Sequence, residues 1–212
     1  QQLLTGKKRL NGFSGEWEEK RLGNLCEMSS GGTPSTKIPQ YYNGNIPWLS
    51  ISDITDAGKY IFNTERKLTS LGIQNSSARL FSQGTLLLAM YASIGKCCIA
   101  KVEISTSQAI LGINTNSKID IEFLYYYFLL SRDKLANSGQ QGTQSNLNKG
   151  MVEDIKLDLP KVVEQQAISK ILSDMDNEIE TLKSKLSKTK AIKDGIMSEL
   201  LTGKTRLKVK DE

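Results

Sequence analysis

Histidine is absent from all 212 residues of this chain. Without an imidazole there is no Ser-His-Asp triad, no His-based general acid or base and no His-ligated metal. Cysteine is scarce. Cys26, Cys97 and Cys98 are odd in number, and two are adjacent, so they suit neither a disulfide framework nor a zinc site and fit a reducing cytoplasm. Long apolar runs are also missing. The longest, 86–91 and 123–130, fall well short of the roughly 20 residues that span a bilayer, and no signal-peptide pattern is present. The expectation is therefore a cytoplasmic protein with no membrane partner.

Motifs for chemistry are missing as well. Gly203-Lys204-Thr205 has the ending of a phosphate-binding loop, but Ser198 stands where the leading glycine belongs, and the segment follows a helical pattern rather than a strand. Asp154-Ile155-Lys156 lacks a second placed acid and reads as ordinary surface sequence. No Asn-Pro-Pro-Tyr-type tetrapeptide and no glycine-rich cofactor loop occur. These absences predict a non-catalytic binding and assembly protein that holds no metal and no cofactor of its own. What the chain does have is a formal net charge of +5 and a pI near 9.0 over an ordinary 38% hydrophobic content, which permits an anionic partner without requiring one.

Texture divides the chain into four parts. Residues 1–16 are polar and glycine-containing, and read as a connector. Residues 17–159 alternate short apolar runs with Gly, Asn, Ser and Pro, predicting a strand-rich α+β domain. Its candidate strands are 48–51, 85–91, 97–102 and 109–113, and 122–130 reads as a buried helix. Long loops are expected at 31–45 and 137–149. From 160 to 200 the pattern becomes one long helix with Pro160 in its first turn, and 201–212 forms a tail.

Along that helix Ile168, Leu172, Met175, Ile179, Leu182, Leu186, Thr189, Lys193, Ile196 and Leu200 follow strict 4,3,4,3 spacing, and eight of the ten are apolar. A stripe of this kind predicts a coiled-coil helix of about 60 Å that needs a partner. Acids crowd its first half and lysines its second, which either favours an antiparallel copy of itself or reflects a solvated face. Thr189 and Lys193 should mark the weakest packing. The octet Leu-Leu-Thr-Gly-Lys-Lys-Arg-Leu at 3–10 returns as Leu-Leu-Thr-Gly-Lys-Thr-Arg-Leu at 200–207, seven of eight residues at an offset of 197. That offset suggests a duplicated domain, of which this chain would be one half.

Two segments have the composition of a polymer-reading surface. Thr33, Ser35 and Lys37 supply hydroxyls and a cation for phosphate, with Tyr41, Asn43 and Asn45 beyond them to reach base edges. Ser52 and Lys96 are further candidates, whereas Trp48 reads better as core. The second segment offers Gln140, Gln141, Thr143, Gln144, Asn146, Asn148 and Lys149. Asn and Gln pair bidentately with adenine, although a solvated loop has the same composition.

Taken in order, several motifs resemble the specificity subunit of type I restriction-modification systems. They are Gly15-Glu16-Trp17-Glu18, Leu22-Gly23, Gly-Gly-Thr-Pro-Ser at 31–35, Ile46-Pro47-Trp48, Ile51-Ser52-Asp53-Ile54, Ile94-Gly95-Lys96 and Ser107-Gln108-Ala109-Ile110. The series closes with Gly142-Thr143-Gln144-Ser145-Asn146-Leu147-Asn148, Leu159-Pro160, Glu164-Gln165-Gln166-Ala167-Ile168 and Leu201-Thr202-Gly203-Lys204. The resemblance implies a DNA target-recognition domain followed by a conserved spacer helix, corresponding to the second half of a two-domain subunit. It implies double-stranded DNA as ligand and modification subunits that use S-adenosylmethionine. It also implies restriction subunits that use ATP and Mg, and a possible homodimer through the helix. Two rival expectations remain: a coiled-coil adaptor whose head binds a protein or glycan, and a decoy that sequesters modification subunits.

Overall fold

Residues 2–137 and 146–206 are described by a computed structural model. In chain order the strands are β1 (Glu18–Arg21), β2 (Cys26–Ser30), β3 (Tyr42–Leu49), β4 (Tyr60–Ile61), β5 (Arg66–Leu68), β6 (Leu80–Phe81), β7 (Leu86–Ala89), β8 (Cys97–Ala100), β9 (Ile104–Thr106), β10 (Ile110–Thr115) and β11 (Lys156–Leu159). The α-helices are α1 (Ile51–Asp56), α2 (Ser70–Gln74), α3 (Ile121–Asn137), α4 (Lys149–Glu153) and α5 (Val162–Leu201). This is the strand-rich α+β arrangement with a long C-terminal helix that the sequence predicts. Its contacts divide it into a first unit ending at Ser169 and a second beginning at Lys170. Among the described residues no helix is long and apolar enough to cross a membrane.

In the first unit a five-stranded sheet, β2-β10-β7-β8-β4, and a four-stranded sheet, β5-β3-β9-β6, share one core. Leu49, Phe81 and Ile104 from the smaller sheet meet Leu87, Ala89, Cys98, Ala100 and Ile110 from the larger. Side chains alternate across a strand, so sequence neighbours of these residues point elsewhere. Trp48 joins Leu68 and Ala78 in a separate cluster, as its core reading anticipates. Cys97 turns toward α3, its Sγ 3.9 Å from the Tyr125 carbonyl. All three cysteines are free and buried. Burial pushes the Cys26 and Cys98 thiols up to about 12, and raises Cys97 as well, with Cys98 adding a smaller push.

Several boundaries differ from the sequence expectation. Ile51, read as the end of a strand, opens α1 instead, because Ser50 and Asp53 form a capping box. The Ser50 N–H donates to Asp53 Oδ2 at 2.9 Å and the Asp53 N–H to Ser50 Oγ at 3.3 Å. The segment 31–45, read as a loop throughout, contains the start of β3.

The long helix is welded to the first unit by its opening turns. Pro160 lies before the helix rather than in it. Lys161 provides the first helical acceptor, receiving the Gln165 N–H at 3.1 Å. Gln165, fully buried, accepts the Asp120 N–H at 2.9 Å and donates to the Pro160 and Lys118 carbonyls at 2.9 and 3.2 Å. Replacing it by leucine leaves three backbone groups without this partner, the buried Pro160 carbonyl among them. Gln165→Leu is expected to lower unfolding free energy by about 2–4 kcal/mol in a urea titration, and an unchanged midpoint would refute the weld.

Ile168, expected in the pairing stripe, is 1% exposed within the first unit. It belongs to the weld, Leu172 is half-buried, and the exposed stripe starts at Met175. In the second unit the stripe is open: Met175, Ile179, Leu182, Leu186, Ile196 and Leu200 are all exposed. Ile192 is also exposed, beside the Thr189 and Lys193 interruption, and continues the apolar face past it.

Candidate nucleic-acid interface

The segment following β2 threads a gap with no room for side chains. A Cβ on Gly31 would lie 2.1 Å from Thr106 Oγ1 and 2.2 Å from its carbonyl, and one on Gly32 would lie 2.3 Å from the Ser77 carbonyl. Gly32 is further fixed by the Trp48 indole N–H, which donates to its carbonyl at 3.0 Å. The Tyr42 hydroxyl donates to the Pro34 carbonyl at 2.6 Å, so this segment runs back along β3 from Trp48 toward Tyr42. Thr33 donates its hydroxyl to Gln108. Ser35 and Lys37 are left exposed, while Tyr41 is half-buried with its carbonyl held by the Thr69 N–H at 3.0 Å.

Where this segment ends, β3 bulges. Leu68 of β5 pairs with both Tyr42 and Ile46, leaving Asn43, Gly44 and Asn45 without separate partners. Gly44 passes so close that a Cβ would sit 2.3 Å from the Leu68 carbonyl, and Asn43 takes a positive φ of 61°. Bulges re-aim side chains, and Asn43 and Asn45 are both exposed here. Thr36, Tyr42, Asn43, Arg66 and Lys67 line one cleft at this spot. Arg66 and Lys67 form no ion pair among the described residues. The cleft therefore joins the Asn43 amide, which can read a base edge, to two cations, which can hold phosphate.

A second group gathers at the other end of β3. Ser52 lies on α1, its hydroxyl 2.8 Å from that of Ser50. Thr55 Oγ1 is 2.6 Å from Ser93 Oγ in the turn between β7 and β8. From the same turn Lys96 donates its ammonium to the Thr55 carbonyl at 2.9 Å. The Leu147 N–H donates to the Met90 carbonyl at 3.0 Å, which places Asn146 beside this turn. Seven residues of extended chain separate Asn43 from Ser50, on the order of 20 Å, so the candidates form two patches rather than one. Asn148 caps α4 by accepting the Met151 N–H at 3.0 Å, and Lys149 pairs with Glu153 at 3.4 Å, so both are engaged in starting that helix. Gln140, Gln141, Thr143 and Gln144 lie outside the described residues. Among the described residues no group of His, Cys, Asp or Glu is arranged to hold a metal ion.

A family model described as the type I restriction modification DNA specificity domain matches residues 14–190. The chain belongs to that family. It is 33% identical over 171 residues to the specificity subunit of the type I restriction enzyme MjaIX of Methanocaldococcus jannaschii, covering 79% of this chain and 40% of that protein. With the EcoR124I/EcoR124II specificity subunit of Escherichia coli it shares 25% over 182 residues, covering 82% and 43%. The chain thus spans less than half the length of these curated relatives. Among solved structures, the HsdS subunit of Thermoanaerobacter tengcongensis aligns with a TM-score of 0.65 at 18% identity, over 93% of this chain and 48% of that one. A chain from a type I restriction-modification system studied for complex assembly gives 0.67 at 20%, over 88% and 46%. At these identities the likeness is one of fold.

Within the family frame, several of the residues that carry the resemblance serve the scaffold. Gly31 and Gly32 clear a passage, Trp48 and Gln108 pin it, Asp53 caps α1, and Gln165 welds α5. Arg66 and Lys67 were not singled out by sequence reasoning. Their only signal is two adjacent cations before a strand-like Leu68, which is common on any surface.

Proposed function

We propose that this chain reads DNA sequence as a non-catalytic specificity subunit of a type I restriction-modification assembly. In this reading, residues 17–159 recognise one part of a split target in double-stranded DNA. The helix at 160–200 spaces that domain from a second one, with 1–16 and 201–212 as flanking segments. Modification subunits would bring S-adenosylmethionine for adenine methylation, and restriction subunits ATP and Mg for cleavage, all in the cytoplasm. Pairing of the free helix stripe with a second copy of the chain would restore two recognition domains. The observation that carries the proposal is the family match across both domain and helix, over a surface where Asn43 in the bulge stands beside two cations that form no ion pair among the described residues.

Electrophoretic mobility shift of the chain together with its modification subunits tests it. Affinity for target DNA should fall steeply with salt, the logarithmic slope being about −0.9 per phosphate contact. Arg66→Ala with Lys67→Ala should flatten that slope by roughly 1 to 2 and weaken binding across all sequences. Asn43→Ala should instead relax preference at particular bases. Binding that ignores salt would sink the DNA reading in favour of a protein-binding adaptor.

A further inference from the structure

Residues 3–9 and 200–206 share a conformation as well as a sequence. The Lys8 N–H donates to the Gln2 carbonyl at 3.2 Å, and at the same offset the Thr205 N–H donates to the Glu199 carbonyl at 3.3 Å. Thr5 Oγ1 reaches the Gln2 carbonyl at 3.4 Å, and Thr202 Oγ1 the Glu199 carbonyl at 3.4 Å. Gly6 has φ 68° and Gly203 φ 70°, left-handed values that glycine adopts without strain. The same turn is built twice.

The copies differ in what they touch. In the first unit Leu4 is 9% exposed, whereas its counterpart Leu201 is 80% exposed. Leu4 faces a cleft shared with Tyr127, Leu130 and Leu135 of α3. Arg9 donates from two guanidinium nitrogens to both oxygens of Glu164, at 2.6 and 2.7 Å, and from the third to the Gly15 carbonyl at 2.7 Å. Its guanidinium carbon lies 5.8 Å from the centre of the Trp17 ring, against which Gly6 also packs. Glu164 is 2% exposed, so this arginine supplies the cation that its buried carboxylate requires. The counterpart Arg206 is exposed and makes no ion pair among the described residues.

We infer that Leu200–Arg206 is a docking plug for a second copy of this chain. It takes the seat formed by Trp17, Glu164 and α3 by exchange with that copy's own residues 3–10. Exchange of an identical element between protomers preserves every contact. Arg206 replaces Arg9 on Glu164, Leu201 replaces Leu4 in the cleft, and Gly203 replaces Gly6 against Trp17. The one differing pair, Lys8 and Thr205, is exposed in both copies. The resident segment is tethered to its seat by a few residues, which gives it an effective concentration in the millimolar range. A competing plug needs a similar advantage, so the inference rests on the helix pairing proposed above while using different residues.

Sedimentation equilibrium on the full chain tests both. Arg206→Ala and Leu201→Ser change side chains that are exposed in the single chain, and each should weaken self-association roughly tenfold or more. Arg9→Ala and Leu4→Ser loosen the resident segment, and whichever stays folded by thermal melting should strengthen association. That reversal of sign is what a merely structural role would not produce. A labelled peptide of residues 199–207 should bind the loosened chain more tightly than the parent, and the same peptide with alanine for Arg206 should bind neither. Association unmoved by Arg206→Ala and Leu201→Ser, yet abolished by Ile179→Asp, overturns the plug and leaves the helix pairing standing. Association kept in Ile179→Asp sinks the helix pairing, and with it the effective concentration on which the plug relies. A chain that stays monomeric throughout overturns both.

Discussion

Ile179→Asp is expected to yield a chain that melts as the parent does but no longer self-associates. Ile179 is about half exposed in the single chain and sits in the second unit, so the folded first unit loses no contact. In a paired helix the same position is sealed in the seam between Met175 and Leu182. An aspartate there becomes a buried charge with no partner, a cost of about 3–5 kcal/mol for each copy that carries it. Since each 1.4 kcal/mol is tenfold in a dissociation constant, the variant should be monomeric wherever the parent is dimeric. Multi-angle light scattering across a concentration series measures this, and an oligomer of unchanged size would remove the stripe from the assembly.

Gly31→Ala should have the largest effect on folding. The added methyl would fall 2.1 Å from one Thr106 atom and 2.2 Å from the Thr106 carbonyl, and the Ser107 carbonyl is 2.7 Å away. Two of these neighbours are backbone of the four-stranded sheet and its exit, so swinging the Thr106 side chain aside does not relieve them. Relief requires separating Gly31 from β9, which breaks the Gly32 N–H bond to the Thr106 carbonyl and disturbs the Trp48 anchor. A loss of about 3 kcal/mol or more is expected, or roughly 10 °C in melting temperature for a unit of this size. Gly58→Ala is the matched control. A Cβ there meets nothing within 4 Å, and its melting point should stay within a degree or two. A Gly31→Ala melting point equal to the control would show that the passage is not tight.

The elements legible in the sequence are those whose own residues dictate them. Leu86 to Ala89 and Cys97 to Ala100 are apolar throughout because both faces of β7 and β8 are buried, and α5 declares itself by its heptads. β4 and β6 are two residues long, and β9 is three. No local preference defines strands so short, and their existence depends on partners distant in sequence. Asn43-Gly44-Asn45 is a turn signal by composition. It becomes a bulge because Gly44 must pass the Leu68 carbonyl, a neighbour the sequence does not reveal. The candidate interface was legible as a residue class but not as an arrangement. Asn43 and Asn45 project as readers would, Asn148 is engaged in a helix cap, and the cations beside Asn43 come from a strand with no motif.

The pairing of β1 with β11 sets Glu18 opposite Leu159, so the chain leaves the strand-rich body where it came in. Everything between is a cassette on a two-stranded stem. Recombination with breakpoints in those two strands would swap one cassette for another without disturbing the helix that follows. The incoming cassette must bring with it a turn like Lys118–Asp120 that presents a carbonyl and an N–H to Gln165, and a helix like α3 that seats Leu4. New binding preferences could thus be acquired whole, in a single genetic event, rather than one side chain at a time.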